Sequence, residues 1–165
     1  MNFRVVFAVV VSLSGVLLAF QSPAQDPPEQ PLPYSHKTHL ATGVKCQDCH
    51  VNPDPGDKMT FPATAKCMVC HASIAKDRPS IQKLAEFAQA KQEVPWVRVY
   101  AVPAGTYWSH RSHTSAGQTC EQCHGDVRAM DRMAKVTDVT TMGGCVACHR
   151  QKKAGTGCEF CHEGK

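Results

Sequence analysis

The placement of the ten cysteines constrains this chain more than any other feature. All ten fall in Cys-x-x-Cys pairs, and a histidine directly follows each pair: Cys46-Gln-Asp-Cys49-His50, Cys67-Met-Val-Cys70-His71, Cys120-Glu-Gln-Cys123-His124, Cys145-Val-Ala-Cys148-His149 and Cys158-Glu-Phe-Cys161-His162. Two thiols at this spacing reach the two vinyl groups on one edge of a porphyrin and form thioethers. The next residue then turns its imidazole onto the iron, which is the c-type haem attachment pattern. Two other chemistries use paired cysteines. Zinc ribbons do not require a histidine after each pair, and five disulfides in an exported chain would leave the histidines idle. Histidine occurs at roughly one position in twenty, so five in five by chance is negligible. The sequence therefore predicts five covalently bound haem c groups, with His50, His71, His124, His149 and His162 as proximal iron ligands.

That prediction sets the fold class. Apolar residues make up 42% of the 165 residues, but many lie in the first twenty, and eleven Gly and eleven Pro dilute the rest. The remainder is too poor in large apolar side chains for a protein-only core. Five porphyrins in about 141 mature residues is roughly one per 28, so the macrocycles become the interior and the polypeptide a thin wrap. The expected fold is mostly irregular with small α-helices at the attachment motifs and little regular secondary structure.

Residues 1–24 carry a positive charge near the start at Arg4, continue as an apolar run from Val5 to Phe20, and end in Ser22-Pro23-Ala24. This is the anatomy of a secretory signal peptide cleaved after Ala24, with an uncleaved N-terminal anchor as the alternative. The 16-residue run is short for a bilayer span. Either way the body of the protein is expected in the periplasm, where c-type haem is attached. Residues 25–33 read as a Pro-rich, extended linker.

Four histidines remain, in two copies of one pattern: Ser35-His36-Lys37-Thr38-His39 and Ser109-His110-Arg111-Ser112-His113. His36 precedes Cys46 by ten residues, and His110 precedes Cys120 by ten. Across the 74-residue offset between the two copies Tyr34 also matches Trp108 and Gly43 matches Gly117, so the chain holds an internal repeat. Residues 34–79 form a two-haem repeat, 80–94 a connecting helix and 95–165 a three-haem repeat. The four histidines occur only in this motif and nearly equal the irons in number, which marks them as distal ligands. Bis-histidine iron is low-spin, with both axial positions closed, and suits electron transfer.

The arrangement resembles the class III, low-potential multihaem cytochromes c, in which a Ser/Pro-His-x-x-His segment precedes the first attachment motif. The resemblance implies that His36 caps the iron of His50, His39 that of His71, His110 that of His124 and His113 that of His149. Ligation across the two repeats is the alternative. Residues 95–149 are more specifically similar to the pentahaem subunit of alternative complex III, a membrane quinol-oxidising assembly. The segments that carry this are Pro95-Trp96-Val97-Arg98-Val99, Cys123-His124-Gly125-Asp126-Val127 and Thr141-Met142-Gly143-Gly144-Cys145. That subunit is longer, which implies a compact relative or a shuttle here.

Five irons against four free histidines leave the haem of Cys158, Cys161 and His162 without a histidine cap. Met142 is the first candidate for its distal ligand, Met130 the alternative and Met133 the third; an open or water-ligated iron is the remaining option. A thioether ligand would raise that haem's potential. Met59 and Met68 read as packing residues.

The periodicity of Ile81, Leu84, Ala85 and Ala88, with Pro79 in the first turn, predicts a helix over 80–92. Trp96 to Val102 reads as a short strand, 121–135 as a helix carrying Met130 and Met133, and 51–66 and 101–107 as loops. The net charge of +4 falls to +3 when the presequence takes Arg4 with it. Each ferric haem with ionised propionates adds about one negative charge, so the oxidised holoprotein is near −2, and no nucleic-acid function follows from the apparent basicity. Lys37, Lys45, Arg111, Arg150, Lys152 and Lys153 read as neutralising propionates or forming a docking rim, with a plain solvated surface as the blander option. The leading expectation is an electron carrier between a membrane quinol-oxidising complex, or another respiratory donor, and a reductase or other cytochrome. Membrane contact would come through the N-terminal segment or a partner. A multihaem reductase of small nitrogen or sulfur oxyanions, using one open iron, is the enzymatic alternative.

Overall fold

α-Helices form at the attachment motifs, at the two repeated histidine segments and at the connector, and nowhere else among the described residues. The computed structural model describes residues 25–51 and 58–162, so the expected presequence at 1–24 lies outside them. In chain order the α-helices are α1 (His36–Leu40), α2 (Cys46–Cys49), α3 (Thr64–His71), α4 (Pro79–Gln89), α5 (His110–Ser115), α6 (Cys120–His124), α7 (Met142–Gln151) and α8 (Cys158–Cys161), with one 3₁₀ turn at Val127–Ala129. There is no strand among the described residues.

α1 and α5 start the same way. Ser35 and Ser109 are extended N-caps, and each hydroxyl accepts from the backbone N–H three residues on, at 3.1 Å from Thr38 and 3.1 Å from Ser112. The cap satisfies a donor that the first turn leaves orphaned. It also fixes both histidines of each segment within a single turn.

Three expectations of local structure are corrected. The connecting helix begins at Pro79 but ends at Gln89, because Lys91 turns left-handed (φ 53°) and the Gln92 N–H returns to the Phe87 carbonyl at 2.9 Å. That closure stops a helix whatever the periodicity beyond it. Residues 96–102 are not a strand: the Gln30 side chain donates to the Val97 carbonyl and accepts from its N–H, both at 2.9 Å. A side-chain amide thus takes the place of a strand partner. Residues 121–135 are not one helix, because α6 ends at His124 and Gly125 adopts φ 73°. A Cβ on Gly125 would also run into the Val136 side chain. In addition, α3 takes residues 64–66 from the expected 51–66 loop, since the Glu93 carboxylate accepts from the Thr64 N–H at 2.5 Å and caps the helix.

The protein core is small. Leu32, Leu84 and Val94 are buried, with Cys67, Met68, Ile81, Phe87 and Trp96 packed around them. Buried Thr64 is satisfied there: its hydroxyl lies 2.9 Å from the Gln92 carbonyl and accepts from the Val94 N–H at 3.1 Å. Leu32 belongs to the segment expected as a tether, and that segment is docked along its length. Gln25 N–H donates to the Lys135 carbonyl at 3.0 Å, and Lys83 donates to the Pro31 carbonyl at 3.2 Å.

The two repeats meet where α1 packs on the 3₁₀ turn. The Lys37 N–H donates to the Met130 carbonyl at 3.0 Å, Ser35 donates to Asp131 at 2.8 Å, and the Lys37 ammonium lies 3.9 Å from the same carboxylate. Lys37, read as a propionate partner or docking residue, is thus partly engaged in joining the halves.

Candidate functional site

Each attachment motif lies on a short helix or at its end, with its histidine at the last helical position or just past it, except His149, which lies two residues before the end of α7. The histidines expected as distal ligands stand opposite four of the five expected as proximal ones. Ring centres are 6.3 Å apart for His36 and His50, 6.0 Å for His39 and His71, 6.4 Å for His110 and His124, and 6.1 Å for His113 and His149. Imidazole rings in van der Waals contact sit much closer. A metal bonded at about 2 Å to a ring nitrogen on each side, with roughly 1.1 Å from nitrogen to ring centre, sets the centres a little over 6 Å apart. The four spacings therefore fit an iron between each pair. These are the pairs that the family pattern implies. The planes differ: 17° and 11° for the first centre of each repeat, against 68° and 45° for the second.

The ring orientation is held from behind. His50 donates from Nδ1 to the Thr60 carbonyl at 2.9 Å, His71 to Ile74 at 3.0 Å, His149 to Gly155 at 2.6 Å and His162 to Gly105 at 3.1 Å. Among the distal set, His39 donates to Ser35 at 2.8 Å and His113 to Ser109 at 2.9 Å. A hydrogen on Nδ1 leaves the Nε2 lone pair free for a metal and fixes the plane of the ring. Burial, then the imidazoles of His50, His39 and His124, push His36 down to about 4. Burial, then His110 and His50, hold His124 below the usual histidine range. Both rings are therefore neutral near pH 7, which is the ligating form.

Aromatic rings brace the distal pairs in both repeats. Tyr34 stacks on His39 (4.3 Å, 18°) and meets His36 edge-on (4.9 Å, 83°). Trp108 does the same with His113 (5.2 Å, 29°) and His110 (4.3 Å, 81°). Burial, reinforced by Cys49 and Cys67, raises the Tyr34 phenol to about 12, so it stays neutral. Two supports were not foreseen from sequence. Tyr100 meets proximal His124 edge-on at 4.8 Å, and its hydroxyl accepts from the Val136 N–H at 2.9 Å. Phe160 meets His149 edge-on at 5.8 Å. Tyr100 lies in the run read as a strand and Phe160 inside an attachment motif; neither position carried a local signal.

None of the ten cysteines is paired with another in a disulfide. Among the described residues no three His, Cys, Asp or Glu side chains converge on one point, so a tetrahedral zinc site has no ligand set there. Apolar side chains inside the motifs are uncovered, Val69 at 76% exposed and Phe160 at 55%. Porphyrin faces beside them would supply the missing cover.

His162 is the proximal ring left over, since each distal histidine stands opposite another motif. Met142 occupies the first position of α7 and is 71% exposed. Met130 lies at the junction of the repeats: its methyl is next to Gly125 and its carbonyl accepts from Lys37. Met133 is half-buried in the segment after the 3₁₀ turn. Met68 packs on the small core, and Met59 lines a cavity together with His50 and His110.

Residues 38–125 match the family model for cytochrome c3, and residues 106–164 match that for cytochrome c7 and related cytochrome c. The chain is 32% identical over 118 residues to the multiheme cytochrome c subunit of menaquinone reductase from Nitratidesulfovibrio vulgaris Hildenborough. The match covers 70% of this chain and 55% of the relative, so the chain spans about half the length of the curated protein it matches.

Proposed function

The chain belongs to the multihaem cytochromes c of the c3/c7 type, and from that premise we propose that it is a periplasmic pentahaem relay. It would pass electrons between a membrane quinone-linked oxidoreductase and a second redox protein. The observation that carries this reading is the set of four imidazole pairs at 6.0–6.4 Å. Haem supplies one-electron chemistry at a tunable potential. The cysteines of the five motifs would anchor it, with His50, His71, His124, His149 and His162 as proximal ligands. His36, His39, His110 and His113 would serve as distal ligands and exclude solvent and small molecules. Tyr34 and Trp108 hold those rings in place. The relative's name puts quinone on the accepting side, whereas the sequence suggested a quinol donor. A relay conducts either way, and its partners' potentials set the direction.

For the fifth centre we assign Met142 as the distal ligand of the iron held by His162. The assignment rests on the deficit of one histidine and on the uncovered Met142 side chain. The same deficit is the one observation favouring a reductase with an open iron. Low-temperature EPR and optical spectra of the ferric holoprotein separate the two. The relay reading expects five low-spin centres and a methionine charge-transfer band that is lost in Met142→Ala. A high-spin signal that binds nitrite or cyanide in the unmodified protein would replace it with the reductase.

A further inference from the structure

The spatial order of the centres differs from their order in the chain. Building on the pentahaem reading above, we infer that the relay is unbranched and runs second, first, third, fourth, fifth motif, so that the centres of His71 and His162 are its two ends.

Each link rests on a contact. The second and first centres are joined through α1, whose one turn carries both His36 and His39, with Tyr34 touching both rings. The third and fourth are joined in the same way through α5, with Trp108 touching His110 and His113. The fourth and fifth meet through Phe160, which sits between Cys158 and Cys161 and lies edge-on to His149. The decisive link is the one between the repeats. His50 of the first centre and His110 of the third line a single cavity, with Gln47 and Thr114 beside them. The Cys46 and Cys120 thiols lie within interaction range of each other. His36 lies within electrostatic reach of His124. The backbone agrees, because α1 is tied to the turn after the third motif by the Lys37–Met130 and Ser35–Asp131 bonds. The contacts that bring one attachment motif near another across the repeats thus fall at the first motif of each, whereas Trp96 and Arg98 reach the first repeat at Tyr34 and Phe61, outside any motif. An electron passing from one repeat to the other therefore crosses between the first and third centres. The second centre becomes a terminus although its motif lies between those two in the chain.

Adjacent centres repel each other's electrons, so reducing one lowers its neighbours' potentials. Loss of an imidazole ligand raises a centre's potential and so makes it fill first, whether or not the incoming side chain ligates. The test uses the full-length holoprotein with His39→Met, which marks the second centre, and His36→Met, which marks the first. Haem-methyl NMR signals, followed through a stepwise reductive titration, report the oxidation state of each centre. With His39→Met the expected result is a downward shift in one neighbour, the first centre. With His36→Met it is a shift in both the second and the third. A shift of the third centre in His39→Met, or of the second alone in His36→Met, would establish chain order and overturn the inference. No neighbour responding to either change would also overturn it. His39→Met alone decides the order should His36→Met fail to accumulate. A protein carrying fewer than five haems by intact mass would refute the pentahaem reading instead, which keeps the two failures distinguishable.

Discussion

Replacing Tyr34 with alanine removes the ring that braces both distal histidines of the first repeat. It stacks on His39 at 4.3 Å and meets His36 edge-on at 4.9 Å. Aromatic pairs of this kind contribute about 0.5–1.5 kcal/mol each beyond area burial, so the two together amount to about 1–3 kcal/mol. At 1.4 kcal/mol per decade, losing one contact of about 0.5–1.5 kcal/mol should make the open form of each distal position about 2- to 12-fold more populated. Carbon monoxide reads this directly. It binds a reduced bis-histidine centre only when the distal imidazole has left, so its binding rate follows the open fraction. Stopped-flow mixing of the fully reduced Tyr34→Ala protein should show faster phases for two centres. The centres braced by Trp108 should keep their rates and serve as the internal control. Tyr34→Phe retains the ring and should behave like the unmodified protein. Unchanged rates in Tyr34→Ala, or an equal rise in all centres, would refute the bracing role; an equal rise would mean only general loosening.

Three further outcomes follow from the packing. Thr64→Val strands the buried Val94 N–H and should cost about 1–3 kcal/mol, read as a lower urea midpoint of the ferric protein, whereas Thr64→Ser should lose less. Gly125→Ala puts a Cβ at φ 73° and against Val136, so its thermal midpoint should fall, by at least the ~1–2 kcal/mol that a left-handed residue costs. Lys91→Gly relieves a left-handed lysine at the end of α4 and should gain about 0.5–1 kcal/mol, measured by the same urea titration.

The ligand candidates were legible because covalent attachment writes its chemistry into a fixed spacing. Cys-x-x-Cys-His is a local requirement, and the Ser-His-x-x-His copies form a one-turn device whose cap, Ser35 or Ser109, lies next to its histidines. The connecting helix was legible from its apolar face, and its true end was not, since the closing bond runs from Gln92 to Phe87 around a lysine rather than a glycine. Residues 96–102 had a strand's composition, yet a strand needs a partner. Here Gln30, 67 residues away in sequence, supplies the hydrogen bonds from a side chain. Separation in sequence also hides Tyr100 behind His124. It also hides the docking of residues 25–33, whose proline content reads as a spacer until Leu32 is seen in the core. Apart from the end of α4 and the break at Gly125, what escaped the sequence was non-local, and so was the meeting of the first and third motifs.

The central claim is that thioether-bound haems fill the interior that the side chains leave empty. Intact-mass analysis of the exported, purified protein, with a pyridine haemochrome spectrum, tests it in one preparation. The account predicts a mass increment of five haems and no free thiols. A colourless polypeptide at the bare chain mass, with ten reactive or oxidised thiols, would contradict it.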